Sequence, residues 1–363
     1  MAEKRKKQNP EKVHVCLLFG GRSAEHEVSL RSAAAIYSNL DQKKFSVTSV
    51  YIGKGGMWKI VQSPLLSMEE LSKGPSLSFL PWEKTSPLQA VKADIYFPIL
   101  HGPYGEDGTI QGVFEMADVP YVGAGVTASA VGMDKALMKT LFKVKNLPVV
   151  QLSILYEGEW LRHREGILRR IEEEYCLPFF VKPATLGSSL GISKVKDFRH
   201  TQKALNTAFA YDQKILVEEG IIGRELECSV LGNDTPEVSL PGEIIPYREF
   251  YDYRDKYIEG KTAFAIPAEL PASTVREIQR ISIEAYRAID CSGMARVDFL
   301  MEGTNGTLFL SEINTIPGFT EISMYPKLWE VSGLPFPRLV ERLIELGFER
   351  HRAKKRKRED VNL

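Results

Sequence analysis

The sequence predicts an α/β protein in which an N-terminal doubly wound parallel sheet is followed by an α+β region. The run VHVCLLF (13–19) is almost wholly apolar, like a strand buried on both faces, and Gly20-Gly21 and an Ala-rich helix through Leu40 follow it. The run ADIYFPIL (93–100) also leads into a glycine-rich loop and a helix. Further along the chain, the segments 179–195 and 294–320 each predict two strands joined by a loop or a tight turn.

Composition indicates a globular chain of two or three domains. Of 363 residues, 44% are hydrophobic and 26% are charged, and 47 acidic residues balance 47 basic ones. This charge balance favours neither nucleic acid nor a membrane as a partner. The four scattered cysteines form no C-x-x-C motif, which indicates reduced thiols. No run has transmembrane or secretory character, so we expect a cytoplasmic protein.

Basic runs lie near both ends of the chain, at residues 4–7 and 354–358. Such runs can be nuclear signals or nucleic-acid-binding tails, but solvated, frayed termini are the commoner case. We expect frayed termini and assign the runs no function.

The first predicted domain covers residues 13–133. It contains a strand at Phe45–Ile52, an irregular segment at 53–88, a helix at 109–117, and a short strand and turn at 121–125. Glu25 follows the first strand, and ligands bind at the carboxyl ends of strands in such sheets. The Gly-Gly turn alone leaves a nucleotide, an amino acid and a purely structural role open.

The second predicted region, residues 134–225, contains a glycine- and serine-rich loop between two strands (179–195). Around it the sequence predicts helices at 134–144, 166–174 and 198–210 and strands at 149–155 and 215–219. The loop is not a Walker motif, because it lacks Gly-Lys-Ser/Thr and no helix follows. Its backbone N–H groups, the Ser188 hydroxyl and Lys182 could bind phosphate, or the loop could be a flexible hairpin connection.

A strand that ends in Glu218 and Glu219 closes this region. Such an edge can receive an adenine and a ribose, although plain strand ends look the same. In the third region, residues 226–347, strands are predicted at 226–231 and 242–245. A helix at 273–289 capped by Ser273 and a closing helix at 335–346 are also predicted. The polar, tyrosine-rich loop 248–262 is typical of a lid.

The segment from Met294 to Thr320 predicts a hairpin, because Asn305-Gly306 is a strong turn signal. Alternation places Asp298, Glu312 and Asn314 on one face with Arg296 beside them. Two carboxylates and an amide oxygen suit Mg²⁺ or Mn²⁺. An ordinary edge hairpin with a wet polar face is the alternative. The exit loop 314–320 can present backbone N–H groups to an anion.

Taken in chain order, the motifs resemble those of D-alanine–D-alanine ligases, members of the ATP-grasp superfamily. The resemblance covers residues 13–347 and rests on GGRSAEHEVSL, LHGPYGEDGTIQG, VKPATLGSSLGISKV, EFYDYRDKY, ARVDF and EINTIPGFTEISMYP. It implies a two-part ATP-grasp fold after the N-terminal domain. The implied parts are a substrate domain (13–133), a central subdomain (134–225) and a catalytic subdomain (226–347), flanked by basic tails at 1–12 and 348–363.

The resemblance also implies the roles of individual residues. Asp298, Glu312 and Asn314 match ligands of Mg²⁺ or Mn²⁺, with two ions expected. ATP is assigned to Lys135, Lys182, Ser188, Glu218, Glu219, Glu225 and Lys256. D-Alanine is assigned to Glu25, His101, Ser323 and Met324, with Glu25 receiving the first ammonium. The catalytic set comprises Glu25, Ser188, Tyr257, Arg296, Gly318 and Ser323, in which Arg296 and the Gly318 N–H match the oxyanion site.

The sequence departs from the family pattern at Gly220, where many members carry a bulky residue against the adenine. Family members also vary at 184–186, so no role is assigned there. The predicted function is ATP-dependent ligation of two D-alanines through an acyl phosphate, for peptidoglycan synthesis, in a homodimer. The alternatives are a D-alanine–D-serine or D-alanine–D-lactate ligase, another ATP-grasp ligase, and a nucleotide-binding module without turnover. Tyr257 favours the dipeptide-forming members.

Overall fold

The computed structural model describes residues 12–77, 91–188, 190–245 and 262–360. Within these residues the strands form sheets of five, four and six strands, one in each of the three predicted regions. No described helix is both long and apolar enough to cross a membrane.

The N-terminal sheet has the strand order β4-β3-β2-β1-β5. Its strands are β1 (Val13–Gly20), β2 (Phe45–Ile52), β3 (Trp58–Val61), β4 (Ser76–Leu77) and β5 (Ile95–Ile99). The central strand β1 pairs in parallel with β2 and β5, whereas β3 and β4 add an antiparallel edge. The carboxyl ends of β1 and β5 therefore lie side by side at one edge of the sheet.

Helices cover both faces of this sheet, which explains why β1 is apolar throughout. Leu17 belongs to the apolar cluster that contains Ile36 of α1 (His26–Asn39). Leu18 points to the other face and joins the cluster that contains Phe114 of α3 (Thr109–Met116). The doubly wound arrangement predicted from the sequence is confirmed.

The prediction that residues 53–88 are irregular is wrong where the structure describes them. Strands β3 and β4 and the one-turn helix α2 (Met68–Leu71) lie in this segment, and residues 78–88 are outside the described part. Trp58 and Val61 are buried and extend the sheet beyond β2. These strands are too short, with four and two residues, to give a clear alternation in the sequence. The strand predicted at 121–125 is reduced to one bridge between Tyr96 and Tyr121.

The central sheet is antiparallel and has the order β6-β9-β7-β8. Its strands are β6 (Leu152–Tyr156), β7 (Phe179–Pro183), β8 (Ser193–Val195) and β9 (Lys214–Glu219). The helices before and around it are α4 (Val126–Met133), α5 (Lys135–Val144), α6 (Glu157–Arg162), α7 (Arg164–Glu174) and α8 (Thr201–Phe209), and a 3-10 turn (Phe198–His200) precedes α8. The predicted strand–loop–strand unit around the glycine- and serine-rich loop is confirmed. Helices α4 and α6 were not predicted.

The C-terminal sheet has the order β13-β12-β10-β14-β15, with β11 paired to β10. Its strands are β10 (Gly223–Gly232), β11 (Glu237–Val238), β12 (Gly242–Ile245), β13 (Ala263–Ala265), β14 (Gly293–Glu302) and β15 (Leu308–Asn314). Strands β14 and β15 form the predicted hairpin. Helix α9 (Ala272–Ala288) precedes it, but Ser273 does not cap this helix: Pro271 occupies the cap position.

Two helices close the chain, and the second corrects the prediction of a frayed basic terminus. Helix α10 (Met324–Val331) was not predicted, and α11 (Phe336–Asp360) continues far beyond residue 346. The Arg350 guanidinium lies 4.0 Å from the centre of the Tyr121 ring and donates to Ser292 Oγ at 3.1 Å. This contact ties α11 to the N-terminal domain and to the start of β14, and α11 continues through the basic run 354–358.

Candidate active site

Two cavities meet in the middle of the molecule. The first, of about 130 Å³, lies between the N-terminal domain and the β14–β15 hairpin. The second, of about 420 Å³, lies between the central and C-terminal sheets and has the size of a nucleotide cleft. Both are lined by Lys135, Ser188, Arg296 and Glu312. The two cavities therefore adjoin at these residues, which are four of the seven that line both.

All the sequence-predicted site residues that the structure describes line one of these cavities. The first cavity, which we call the substrate cavity, is also lined by Glu25, His101, Asn314, Gly318, Ser323 and Met324. The second, the nucleotide cleft, is also lined by Lys182, Glu218, Glu219, Glu225 and Asp298. Lys256 and Tyr257 lie outside the described residues.

The three predicted metal ligands are brought together by the register of the hairpin. Asp298 lies directly opposite Glu312, and Arg296 lies opposite Asn314. Asn314 Nδ2 donates to Asp298 Oδ2 at 3.0 Å. Among the described residues, no group of three His, Cys, Asp or Glu could hold a metal ion. The set here contains two carboxylates, and its third member is an amide. The two carboxylates and the amide oxygen are hard donors and fit Mg²⁺ or Mn²⁺.

Arg296 is held by two carboxylates from neighbouring strands. Its Nε and Nη2 atoms donate to the two oxygens of Asp298 at 2.7 and 2.6 Å, and Nε lies 3.1 Å from Glu227 Oε2. Burial opposes the charge, but Asp298 and Glu227 outweigh burial and raise the pKa of Arg296 well above its usual value. The guanidinium is therefore a fixed cation where the two cavities meet.

Glu227 was not predicted from the sequence, although it lies opposite Asp298 on β10. The sequence signal that could have indicated Glu227 is its spacing from Glu225, because residues two apart on a strand share one face. Only the pairing of β10 with β14 shows that Glu227 faces Arg296.

Helix α5 directs Lys135 toward the hairpin. Asp134 caps the helix by accepting from the backbone N–H groups of residues 136 and 137. Lys135 Nζ donates to the Leu186 carbonyl at 2.9 Å and lies 3.3 Å from Glu312 Oε2. Burial opposes its charge, but Glu312 outweighs burial and raises the pKa of Lys135. One lysine thus connects the glycine- and serine-rich loop to a predicted metal ligand.

Glu25 is enclosed by two glycines and one serine. The Ser188 hydroxyl donates to Glu25 Oε1, and Ser188 has a left-handed backbone with φ of 53°. A Cβ atom at Gly102 would lie 2.9 Å from Glu25 Oε2, and one at Gly187 would lie 3.1 Å from it. A side chain at either position would press on the Glu25 carboxylate, and at Gly102 it would also be strained by the positive φ of 74°, so both loops approach the carboxylate closely.

His101 is buried, and protein groups contact both nitrogens of its ring. Nδ1 lies 3.0 Å from the Ile316 carbonyl, and Nε2 lies 3.1 Å from Ser32 Oγ. These partners assign the proton to Nδ1 and make Nε2 the acceptor. Ser32 Oγ also accepts from the Phe319 N–H at 3.1 Å. Burial lowers the pKa of His101, so a neutral imidazole holds the loop that contains Gly318.

Sequence reasoning missed two further ionisable residues at the site. The Glu106 carboxylate accepts from the Gly102 N–H at 2.7 Å, and burial raises its pKa to about 8. Lys139 Nζ lies 2.9 Å from Glu218 Oε1. Glu106 lies in a glycine-rich loop after β5, which is a usable signal. Lys139 lies on the apolar face of α5, and nothing in the sequence marks it as a site residue.

Gly220 departs from the family pattern for a steric reason. A Cβ atom there would lie 2.3 Å from the Pro178 carbonyl oxygen and 3.5 Å from the Phe180 ring. Phe180 and Ile221 line the nucleotide cleft and supply apolar surface beside this position.

Comparisons with known proteins agree with this architecture. The protein-family model of the D-Ala–D-Ala ligase N-terminus matches residues 14–124. The family model of the D-Ala–D-Ala ligase C-terminus matches residues 141–345. A D-alanine–D-alanine ligase from Solibacter usitatus is 48% identical over 94% of this chain and 98% of its own length. One from Heliobacterium modesticaldum is 46% identical over 94% of this chain and 96% of its own length.

Solved structures give the same result. The D-alanine–D-alanine ligase from Coxiella burnetii superposes with a TM-score of 0.86 at 39% identity, covering 97% of this chain and 98% of its own. The VanG D-Ala:D-Ser ligase from Enterococcus faecalis gives a TM-score of 0.79 at 33% identity, covering 93% and 100%. The resemblance and the fold class predicted from the sequence are confirmed. The chain belongs to the D-alanine–D-alanine ligase family.

Proposed function

We propose that this chain joins two D-alanines in the substrate cavity, using ATP bound in the nucleotide cleft. As a member of its family it is an ATP-dependent, ADP-forming ligase. The observation that carries the proposal is the meeting of the two cavities at Ser188, Arg296 and Glu312. A carboxylate in one cavity and a terminal phosphate in the other would meet there.

The first step activates the carboxylate of the first D-alanine. Glu25 binds the ammonium group of this D-alanine, and the carboxylate of the D-alanine then points toward the nucleotide cleft. Lys135 and Lys182 draw the ATP phosphates toward the junction. Transfer of the terminal phosphoryl group to a carboxylate oxygen gives an acyl phosphate and ADP, and it requires positioning and charge neutralisation more than covalent help.

The metal ligands in this proposal are Asp298, Glu312 and Asn314, which would hold two Mg²⁺ or Mn²⁺ ions. Bound ions supply positive charge to the phosphates during transfer. Lys135 lies 3.3 Å from Glu312 and Arg296 lies 2.6 Å from Asp298, so a cation faces each carboxylate.

The second step forms the peptide bond. The second D-alanine attacks as a free amine, with its carboxylate near Ser323 and Met324. The acyl carbon becomes tetrahedral, and Arg296 and the Gly318 N–H stabilise the oxyanion. Collapse of this intermediate expels phosphate and leaves D-alanyl-D-alanine. His101 contributes by holding the 315–320 loop through Ile316 and Ser32.

Further proposals concern parts of the function that rest on the family alone. Lys256 and Tyr257 belong to a lid that keeps water from the acyl phosphate. The chain acts in the cytoplasm as a homodimer, has small-molecule partners and no nucleic-acid or membrane partner, and supplies peptidoglycan synthesis. A D-serine substrate at the second subsite is the alternative, since the VanG D-Ala:D-Ser ligase also matches.

The test is ADP formation with D-alanine alone and with D-alanine paired with D-serine or D-lactate, with products identified by mass. We expect D-alanine-dependent ADP release and D-alanyl-D-alanine as the main product. A product formed only with D-serine or D-lactate would assign the alternative activity. ATP binding without amino-acid-dependent turnover would reject ligation.

A further inference from the structure

A buried carboxylate in the nucleotide cleft is paired with two lysines from different elements. Lys139 Nζ lies 2.9 Å from Glu218 Oε1, and Lys182 Nζ lies 2.5 Å from Glu218 Oε2. Glu218 is on β9, Lys182 on β7 and Lys139 on α5. The cluster therefore joins two strands of the central sheet to the helix that also carries Lys135.

The two lysines differ in their access to the cleft. The Lys182 side chain is 16% exposed and lines the cleft, whereas the Lys139 side chain is 1% exposed and does not line it. Lys182 is therefore accessible to a ligand in the cleft. Lys139 is enclosed behind Glu218 and cannot serve as a phosphate ligand itself.

Glu218 is fully ionised in this arrangement. Burial by itself would raise its pKa, but Lys139 and Lys182 outweigh burial and lower the pKa to about 2. A buried carboxylate without a cationic partner strongly destabilises the folded protein, because its charge is not compensated. If Lys182 were the sole partner, its transfer to a phosphate would leave Glu218 with an uncompensated buried charge.

We propose that Lys139 is a positioning residue that keeps Glu218 paired while Lys182 moves from Glu218 to the phosphates of ATP. The exchange also frees Glu218 Oε2 as a hydrogen-bond acceptor. This inference rests on the proposed role of Lys182 as a phosphate contact. Lys139 would thus contribute to the affinity for ATP through Glu218 and Lys182, without touching ATP.

The test compares Lys139→Met with Lys143→Met, which removes an exposed lysine from the same helix. For Lys139→Met we expect the KM for ATP and the calorimetric Kd for ATP without D-alanine to rise about tenfold or more. The KM for D-alanine should change less than twofold, and Lys143→Met should match the unaltered chain. Equal rises in both KM values, or an unchanged KM for ATP, would overturn the proposal.

Two further variants separate electrostatics from folding. Lys139→Arg keeps the cation and should bind ATP within about threefold of the unaltered chain. In a chain that already carries Glu218→Gln the buried charge is absent, so adding Lys139→Met should raise the Kd for ATP by less than about threefold. A further rise of about tenfold or more in that background would contradict the exchange. Because calorimetry needs no turnover, failure of the ligase assignment would leave this readout intact.

Discussion

The nucleotide cleft and the substrate cavity are held in place by different kinds of interaction. Ion pairs hold the nucleotide cleft and its junction with the substrate cavity: Lys182 with Glu218 in the cleft, and Lys135 with Glu312 and Arg296 with Asp298 at the junction. On the cavity side, hydrogen bonds of neutral groups dominate, as in the contact of His101 with Ile316. To bind a polyphosphate, lysine and arginine side chains must leave the carboxylates with which they are paired. A small amino acid instead needs a cavity whose shape is fixed before it binds. The difference predicts that variants on the two sides change different kinetic constants.

The largest expected effect is at Arg296, which lies where the two cavities meet. Arg296→Ala removes a predicted oxyanion donor, and such donors contribute about 3–4 kcal/mol to transition-state stabilisation. We expect kcat to fall by about 10²–10³-fold with a smaller change in ATP affinity. Steady-state kinetics and calorimetry measure the two quantities. Arg280→Ala, which removes an exposed arginine from α9, is the control. A parallel collapse of ATP affinity would make Arg296 a nucleotide residue.

The next effect is expected on the cavity side, at Glu25. Glu25→Gln weakens a charged hydrogen bond to the substrate ammonium, which corresponds to about 1.5–3 kcal/mol. The KM for the first D-alanine should rise by about 10- to 100-fold, and the KM for ATP should stay within about twofold. Glu27→Gln changes an exposed carboxylate two residues away, in the first turn of α1, and should have no effect. An unchanged KM for D-alanine would remove the assignment of Glu25.

A smaller effect is expected from the hydrogen bonds that hold the 315–320 loop. Ser32→Ala leaves the buried Phe319 N–H without its acceptor and His101 Nε2 without its donor. We expect a loss of about 1–3 kcal/mol in the free energy of unfolding, measured by urea denaturation. Ser38→Ala, at an exposed position of α1, should cost less than about 0.5 kcal/mol. Equal costs in the two variants would show that the hydrogen bonds do not stabilise the fold.

The last prediction concerns the pH dependence of stability. In the folded chain the pKa of Glu106 is raised from 4.5 to about 8. Between these two pH values Glu106 is protonated in the folded state and ionised in the unfolded state. Its contribution to stability is present below pH 4.5 and is lost as the pH rises toward 8. Glu106→Gln should therefore lose less stability than the unaltered chain between pH 5 and pH 8.5. Thermal midpoints across this range provide the measurement, and parallel curves would contradict the assignment.

The parts of the site that follow from short-range patterns were predictable. The alternation along β14 and β15 placed Asp298, Glu312 and Asn314 on one face, because strand periodicity and the Asn305-Gly306 turn are local properties. The same holds for the doubly wound sheet, since β1 is apolar on both faces.

The parts that depend on distant partners were not predictable. Lys139 and Ser32 lie at buried positions of apolar helix faces, and their charge or hydroxyl is explained only by groups on other elements. The basic segment after residue 346 read as a frayed tail because its anchor, Arg350, finds Tyr121 and Ser292 only in the folded chain.

The central claim is that the carboxylate in the substrate cavity takes the phosphoryl group from ATP before the peptide bond forms. It is tested most directly with D-alanine whose two carboxylate oxygens are ¹⁸O. The account predicts that the phosphate released on ligation carries one ¹⁸O atom, because the oxygen that bridges carbon and phosphorus leaves with phosphorus. Phosphate without ¹⁸O, released in step with dipeptide, would show that ATP is hydrolysed by water and that no acyl phosphate forms.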